Sequence, residues 1–522
     1  MGREHMNTLT RMRAVLSSRS LYDTATALEW DSPVGRPLRN PPYVTLAYGV
    51  LARLARSAIR VQLDLAEPET WSYARRLMSE AITRHGLDLP PPGAKPPNWE
   101  TWRWMRDHHL ATETGVAELA RVYPTIAVAA ANRIGLLLPT GPGSFSHPDS
   151  TRTAYGDGTL VRPLYNPPAT VSLTDADGGQ RVAYPDPRTG ELLDHPPGRF
   201  DPDLQEHHGR LGPVLTHGYV AWHARGRGRY QRIDLALAHV PAPGAEAATA
   251  VALLREVHRA AGAGIQAVVY DGAFRGVHID EIMRNYGYLV LAKQATSATT
   301  TDATSGTAGA DGARGEGEEV ATTQLVMTPA GRRARSYPLG PVTHHLPTGP
   351  CHHQLATVGG QVVEIDLDEA GDPVVTSIPD RGQVKRVRRS TGAFHFNVAF
   401  RIECPIEPFT VWLSPHPGKD ADARRPENLR IIPTTDPDAQ RLQGIRSDAE
   451  SFHSHYKRTL IVNRAMSLGA YRGLIDLYCF AIYNTALTEY HHAQRSGATS
   501  TVGPVATAAR PPRPIPGIAR SG

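Results

Sequence analysis

From Thr153 to Ala292 the chain sets out an order of elements that leaves few ways to fold. Thr153-Ala154-Tyr155, His217 to His223 and Tyr230 to Val240 have strand character, and Arg225-Gly226-Arg227-Gly228 supplies a hairpin turn between the last two. Ala247 to Ala261 follows, with Val251, Leu254 and Val257 at helical spacing. Ile265 to Tyr270 is a short, wholly apolar run, the pattern of a parallel strand buried on both faces. A helix from about Val277 to Tyr286 and a strand from Tyr288 to Ala292 complete a β-α-β unit. Three strands able to pair antiparallel, then helix, strand, helix and strand, predict a mixed sheet covered by helices. The fold class is α/β.

Carboxylates stand at telling places in this order. Asp271 follows the buried strand directly and precedes Gly272-Ala273-Phe274, at the strand end where ligands bind in open α/β sheets. Asp157-Gly158-Thr159 reads as a tight turn, Gly158 letting the chain bend beside the acid. Further on, Gln443 to Lys457 places Gln443, Arg446, Glu450 and Lys457 on one arc of roughly 60° at helical period. Ile445, Ala449, Phe452, Tyr456 and Leu460 fall on a second arc of roughly 80° and face a core. One carboxylate between two cations is a common solvated ion-pair face. It matters only if the other acids meet it.

The flanks divide the chain into regions. Residues 1–150 read as helical, with Tyr43 to Leu65 one helix bearing Arg53, Arg56 and Arg60, and a second from Glu69 to His85. A helical bundle with such an arginine face suits a phosphate backbone, or simply solvent. Residues 151–295 hold the sheet just described, interrupted by the Pro-, Gly- and Asp-rich stretch Asn166 to Thr216, read as a long loop or peripheral insertion. Residues 296–435 open on the low-complexity run Ala295 to Glu319, a flexible entry, and then turn β-rich from Gln324 to about Ile432. Residues 436–493 carry the Glu450 helix and a long helix from Ala470 to His491, and residues 494–522 form an Ala/Pro/Arg-rich tail expected to be disordered.

In the β-rich region, Lys385-Arg386-Val387-Arg388-Arg389 is the densest basic run, a phosphate contact or a solvated hairpin. Trp412 is a core position or an aromatic wedge. His344, His345, Cys351, His352, His353 and Cys404 are zinc-ligating types. Their spacing fits no regular finger, and adjacent histidines cannot easily both ligate, so no zinc is expected. The three cysteines make no disulfide framework, and no apolar stretch of membrane-spanning length occurs. These point to a reducing cytoplasmic compartment and no membrane partner. Net charge +5, from 56 basic and 51 acidic residues, is compatible with an anionic partner without demanding one.

With these residues in view, the chain resembles the DDE transposases of bacterial insertion sequences, in the subgroup with a Tyr-x2-Arg-x3-Glu-x6-Lys signature. That signature reads Gln443-x2-Arg446-x3-Glu450-x6-Lys457 here, with Gln443 in place of the tyrosine. The family's first acid lies in an Asp-Gly-Thr-like motif, matched by Asp157-Gly158-Thr159, and its second in a motif matched by Asp271-Gly272-Ala273-Phe274. The resemblance implies a ribonuclease H-like mixed-sheet core with a β-rich insertion and an N-terminal helical, DNA-binding domain. It implies two Mg²⁺ or Mn²⁺ ions held by Asp157, Asp271 and Glu450, and contacts to double-stranded DNA from Gln443, Arg446, Lys457, Lys385, Arg386, Arg388, Arg389 and Trp412. Binding of terminal inverted repeats, cleavage and strand transfer by a homo-oligomer on the bacterial nucleoid complete the expectation. A domesticated DNA-binding relative and a nuclease without strand transfer are the alternatives.

Overall fold

The computed structural model describes residues 7–28, 39–165, 168–175, 177–201, 203–209, 212–228, 231–292, 324–418, 425–460 and 465–496. The run Ala295 to Glu319 and the tail beyond 496 lie outside the described residues.

Among the described residues of the first 150 the elements are helices, as expected: α1 (Thr8–Ser17), α2 (Arg19–Ala27), α3 (Pro42–Leu54), α4 (Ala58–Ala66), α5 (Pro68–His85), α6 (Trp99–Met105) and α7 (Glu113–Arg133). The helix expected from Tyr43 to Leu65 is in fact two. Arg56 takes a φ of 54°, which ends α3, and Ser57 caps α4 by accepting the Arg60 amide at 3.1 Å. Arg53 is not on a solvated face. It is buried and paired with Asp476 of the last helix.

The sheet follows. β1 (Thr153–Val161) precedes the short strands β2 (Val171–Thr174), β3 (Gln180–Pro185), β4 (Leu192–Leu193) and β5 (Gln205–Gly209). The stretch read as a long loop therefore holds strands, and its composition belongs to hairpin turns. Gly178 and Gly190 take φ of 83° and 74° and close the Asp175–Gly179 and Asp186–Glu191 turns. Next come β6 (Gly212–Arg225), β7 (Arg232–His239), α8 (Glu246–Ala261), β8 (Ala267–Tyr270), α9 (Gly276–Tyr286) and β9 (Leu289–Ala292). Across the main sheet the order is β7-β6-β1-β8-β9, and β5 pairs with the first part of β6. β7, β6 and β1 are antiparallel, and β1, β8 and β9 parallel.

The region after residue 324 is β-rich, but it makes two units. β10 (Gln324–Met327), β11 (Arg333–Leu346), β12 (Gly349–Val358), β13 (Gln361–Leu367) and β14 (Pro373–Ser377) close a barrel on Val326, Ala356, Val363, Ile365 and Val375. β15 (Asp380–Arg388), β16 (Phe394–Ile402) and β17 (Phe409–Leu413) form a separate three-stranded sheet. Phe396, Val398 and Phe400 of that sheet join the main core instead. After the single turn α10 (Arg425–Asn428) come α11 (Pro437–His455) and α12 (Ala470–Arg495).

α12 is buried on every side from Gly473 to Thr488 and packs against β7, α1, α3 and α7. A helix buried all round belongs in a core. One contiguous core therefore joins the N-terminal helices, the sheet and α12. Among the described residues no helix is long and apolar enough to cross a membrane.

Candidate active site

β1 and β8 run parallel, with Thr153 opposite Ala267, Ala154 opposite Val268 and Tyr155 opposite Val269. Continued, that register sets Asp157 beside Asp271, one residue past the end of β8, on strands about 4.8 Å apart. Asp157 is not in a turn. It lies mid-strand, opposite Ala221 of β6, and is buried. Gly158 has another reason to be glycine: a Cβ there would stand 2.4 Å from the carboxyl carbon of Glu246. A Cβ at Gly156 would strike Tyr270 at 2.5 Å and Trp222 at 2.7 Å. The strand lacks side chains where a carboxylate and two rings approach it. Asp271 is half-buried and accepts the Ala273 amide at 2.8 Å, which shapes the loop into α9.

α11 covers β1 and β8 from the other direction. Its start is written locally: Asp436 accepts the Asp438 amide at 2.8 Å as the cap, Pro437 occupies the first turn, and Arg381 holds the Asp436 carboxylate at 2.7 Å. Two turns apart along the helix, Arg446 lies 3.5 Å from Asp157 Oδ1 and His453 Nε2 lies 3.7 Å from Oδ2. Glu450 falls between them, four residues after Arg446 and three before His453, on the same stripe. Its backbone is helical; its side chain lies outside the described residues. Phe452 and Tyr456 are buried and Ile445 is partly so, as the periodicity predicts.

A cleft of about 370 Å³ opens here, lined by Asp157, Gly158, Thr159, His453, Ser454, Lys457 and Arg458. Burial pulls the Lys457 ammonium below the usual lysine range, and the Asp157 carboxylate opposes that pull. Burial also drives His453 well below the ordinary histidine value, with His223 and Lys457 adding to it, so a neutral imidazole stands against Asp157. Behind it, His223 is held by Asp234 at 2.7 Å. The motif spacing does not single out His453. The signal that could have found it is its place three residues after Glu450.

The other expected contacts divide. Gln443 Nε2 donates to the Leu291 carbonyl at 3.1 Å, tying α11 to β9. Arg386 donates to the Gly287 carbonyl at 3.0 Å, and its guanidinium lies over Phe145 and Phe394 at 4.2 and 4.9 Å. Lys385, Arg388 and Arg389 are exposed. Trp412 is not a core residue. It is 41% exposed, with the Lys385 ammonium 4.1 Å above its ring.

Glu246 is a further carboxylate, which no motif marks. In the first turn of α8 it reads as a helix-dipole residue. Its carboxylate accepts from Tyr270 Oη at 3.1 Å, and burial, then the Asp271 charge, raise its pKa. A raised carboxyl pKa stabilises the fold fully below the unfolded value, and that contribution is lost as pH rises through the folded value. Glu246→Gln is therefore expected to remove a decline in stability that begins in the ordinary glutamate range and runs upward. Thermal melts across pH 4 to 8 check it, and equal slopes for both chains would refute it. Of these acids Asp157 lines the cleft, and Glu246 lines a second hollow with Thr159, Gly218 and Ala273. Carboxylate oxygens are the donor type that suits Mg²⁺ or Mn²⁺, which keep several waters and need few protein ligands. Comparison with protein-family models and with curated proteins gives no match to this chain.

Proposed function

We propose that the chain is a DDE transposase with a ribonuclease H-like core. The observation that carries this reading is the convergence on Asp157. Arg446 and His453, which bracket Glu450 on α11, both reach its carboxylate, and the β1–β8 register sets Asp271 beside it. The strand order β7-β6-β1-β8-β9, antiparallel in its first half and parallel in its second, supports the same reading, because it is the order of the ribonuclease H-like sheet.

Asp157 and Asp271, with Glu450 from the helix above, would hold two divalent cations. When bound, these supply charge that activates an attacking oxygen and stabilises a leaving one in phosphodiester cleavage. The chain's own groups orient the DNA. Lys457 at the cleft mouth holds a phosphate near the acids, and Arg446 keeps the Asp157 carboxylate oriented. Neutral His453 blocks the inner side of Asp157 and presents no competing charge. The exposed end of the β15–β16 hairpin would dock the flanking duplex, and Trp412, exposed beside Lys385, would stack on an unpaired base.

The direct test uses the DNA that flanks the coding sequence, incubated with purified protein and Mg²⁺ and a supercoiled acceptor plasmid. Cutting at inverted repeats, followed by joining of the freed 3′ ends to the plasmid, is the expected result. Cutting without joining would make the chain a nuclease of the same fold. DNA binding with no cutting in either metal would point to a domesticated binder.

The basic hairpin makes a second, quantitative expectation. Lys385, Arg386, Arg388 and Arg389 are all exposed, and Arg386 also donates to the Gly287 carbonyl. Replacing Lys385, Arg388 and Arg389 by Ala should reduce the slope of log K against log salt by about 2.7, at about 0.9 for each phosphate no longer neutralised. Affinity measured across a salt series reads this directly. An unchanged slope returns the hairpin to a solvated role.

A further inference from the structure

We propose that the β-rich region holds a structural zinc site made by Cys351, His353 and Cys404, with His344 as the fourth ligand. The strand pattern resolves what made zinc unattractive in the sequence. Side chains on a strand alternate, so only one of each adjacent histidine pair faces a given side. Cys351 and His353 are two apart on β12 and share a face, and His344 stands directly opposite Cys351 on β11. His352 takes the other face, where Thr343 Oγ1 and its Nδ1 are 3.1 Å apart, and His345 is exposed. The remaining ligand comes from far along the chain: Cys404, in the turn between β16 and β17, is folded over this face.

The ligand atoms of Cys351, His353 and Cys404 all lie within 4.8 Å of one another. Cys351 Sγ and His353 Nε2 are 3.4 Å apart, close to the roughly 3.6 Å edge of a tetrahedron with Zn–S of about 2.3 Å and Zn–N of about 2.0–2.1 Å. His344, opposite Cys351 on β11, stacks on Phe409 at 4.2 Å and stands outside the three residues whose ligand atoms converge within 4.8 Å.

One feature outside the ligands points to a cation. His353 turns its other ring nitrogen, Nδ1, to Glu364 Oε1 at 2.5 Å, and Ser377 Oγ donates to the same carboxylate at 2.8 Å. A carboxylate behind a histidine is the usual arrangement that fixes which nitrogen faces a metal. His353 and Cys404 are buried, so the site is closed to solvent on that side. Thiolate and imidazole donors select zinc over Mg²⁺, and the site lies apart from the acids of the cleft. It would pin the barrel strands β11 and β12 to the β16–β17 sheet, two units that the hydrophobic clusters leave with different cores.

The test is a Co²⁺ titration of the full-length protein stripped of metal, followed by competition with Zn²⁺. One equivalent of Co²⁺ with a thiolate charge-transfer band and tetrahedral visible bands is expected, displaced by stoichiometric Zn²⁺ and unaffected by excess Mg²⁺. Cys351→Ser and Cys404→Ser should each weaken binding at least about 100-fold, and Glu364→Gln by roughly 10- to 100-fold, whereas His352→Ala should match the parent. A cysteine variant that does not fold leaves a second measurement on the unmodified chain. Bound Zn²⁺ should slow alkylation of Cys351 and Cys404, and a chelator should restore it. Absence of the charge-transfer band, parent-like affinity in Cys404→Ser, or alkylation indifferent to zinc would each overturn the site. None of these readouts depends on DNA cleavage, so the zinc site and the transposase reading stand or fall separately.

Discussion

Asp157→Asn and Glu450→Gln, made singly, are expected to stop Mg²⁺-dependent cleavage of element-end DNA while duplex affinity stays within a few-fold of the parent. The expected loss is roughly a thousandfold or more, since the metal ions supply several kcal/mol of transition-state stabilisation and each 1.4 kcal/mol is about tenfold in rate. The reasoning rests on separate duties. Asp157 is a buried residue of the cleft wall, in contact with Arg446 and His453, whereas the exposed cations that suit phosphate lie on the hairpin of β15 and β16. Removing the acid should therefore leave docking in place. Single-turnover cleavage beside a binding isotherm measures both quantities, and a melt confirms that each variant is folded. Substantial cleavage by Glu450→Gln would remove the helix acid from the proposal. Loss of binding in step with cleavage would mean that the acid serves structure.

The largest effect on stability is expected at Arg53. This guanidinium and the Asp476 carboxylate are both almost fully buried, and their ion pair ties α3 to α12 across the shared core. Arg53→Met leaves the carboxylate without its partner in a low-dielectric interior, which costs roughly 3–5 kcal/mol. Arg53→Met combined with Asp476→Leu should recover most of that loss, because an apolar pair of similar volume avoids the desolvation of both charges. Denaturant unfolding of the two variants against the parent is the measurement. A single variant within about 1 kcal/mol of the parent, or a double variant no better than the single, would show that the pair is not what joins these helices.

Much of the architecture can be read from local patterns, for physical reasons that are themselves local. The strand-forming runs of β6 and β7, the apolar run of β8 and the helical spacing of α8 and α9 each follow from which faces a strand or helix must bury. The stripe of Gln443, Arg446, Glu450 and Lys457 is legible for the same reason, and of its members Arg446 reaches Asp157 and Lys457 lines the cleft. The place of Asp271 at the end of a buried strand is visible because the strand's own apolarity marks where it ends.

What the sequence leaves open is decided by segments meeting from far apart. Gly158 looks like a turn because a glycine's neighbours in sequence say nothing of the Glu246 carboxylate that fills its missing side chain's place. Arg53 looks solvated because its partner is on the last helix. Trp412 looks like core because a strand pattern does not say which of its faces a second sheet will cover. Cys404 is one loose cysteine until the hairpin of β16 and β17 lays it against Cys351 and His353. The sequence by itself determined the order of the main-sheet elements and the helix stripe, because these depend on residues within a few turns of one another. Only the tertiary structure decided the buried ion pair, the fourth acid and the thiol cluster. Each of these is an encounter between charges or donors on separate segments, and its energy exists only once the chain has folded.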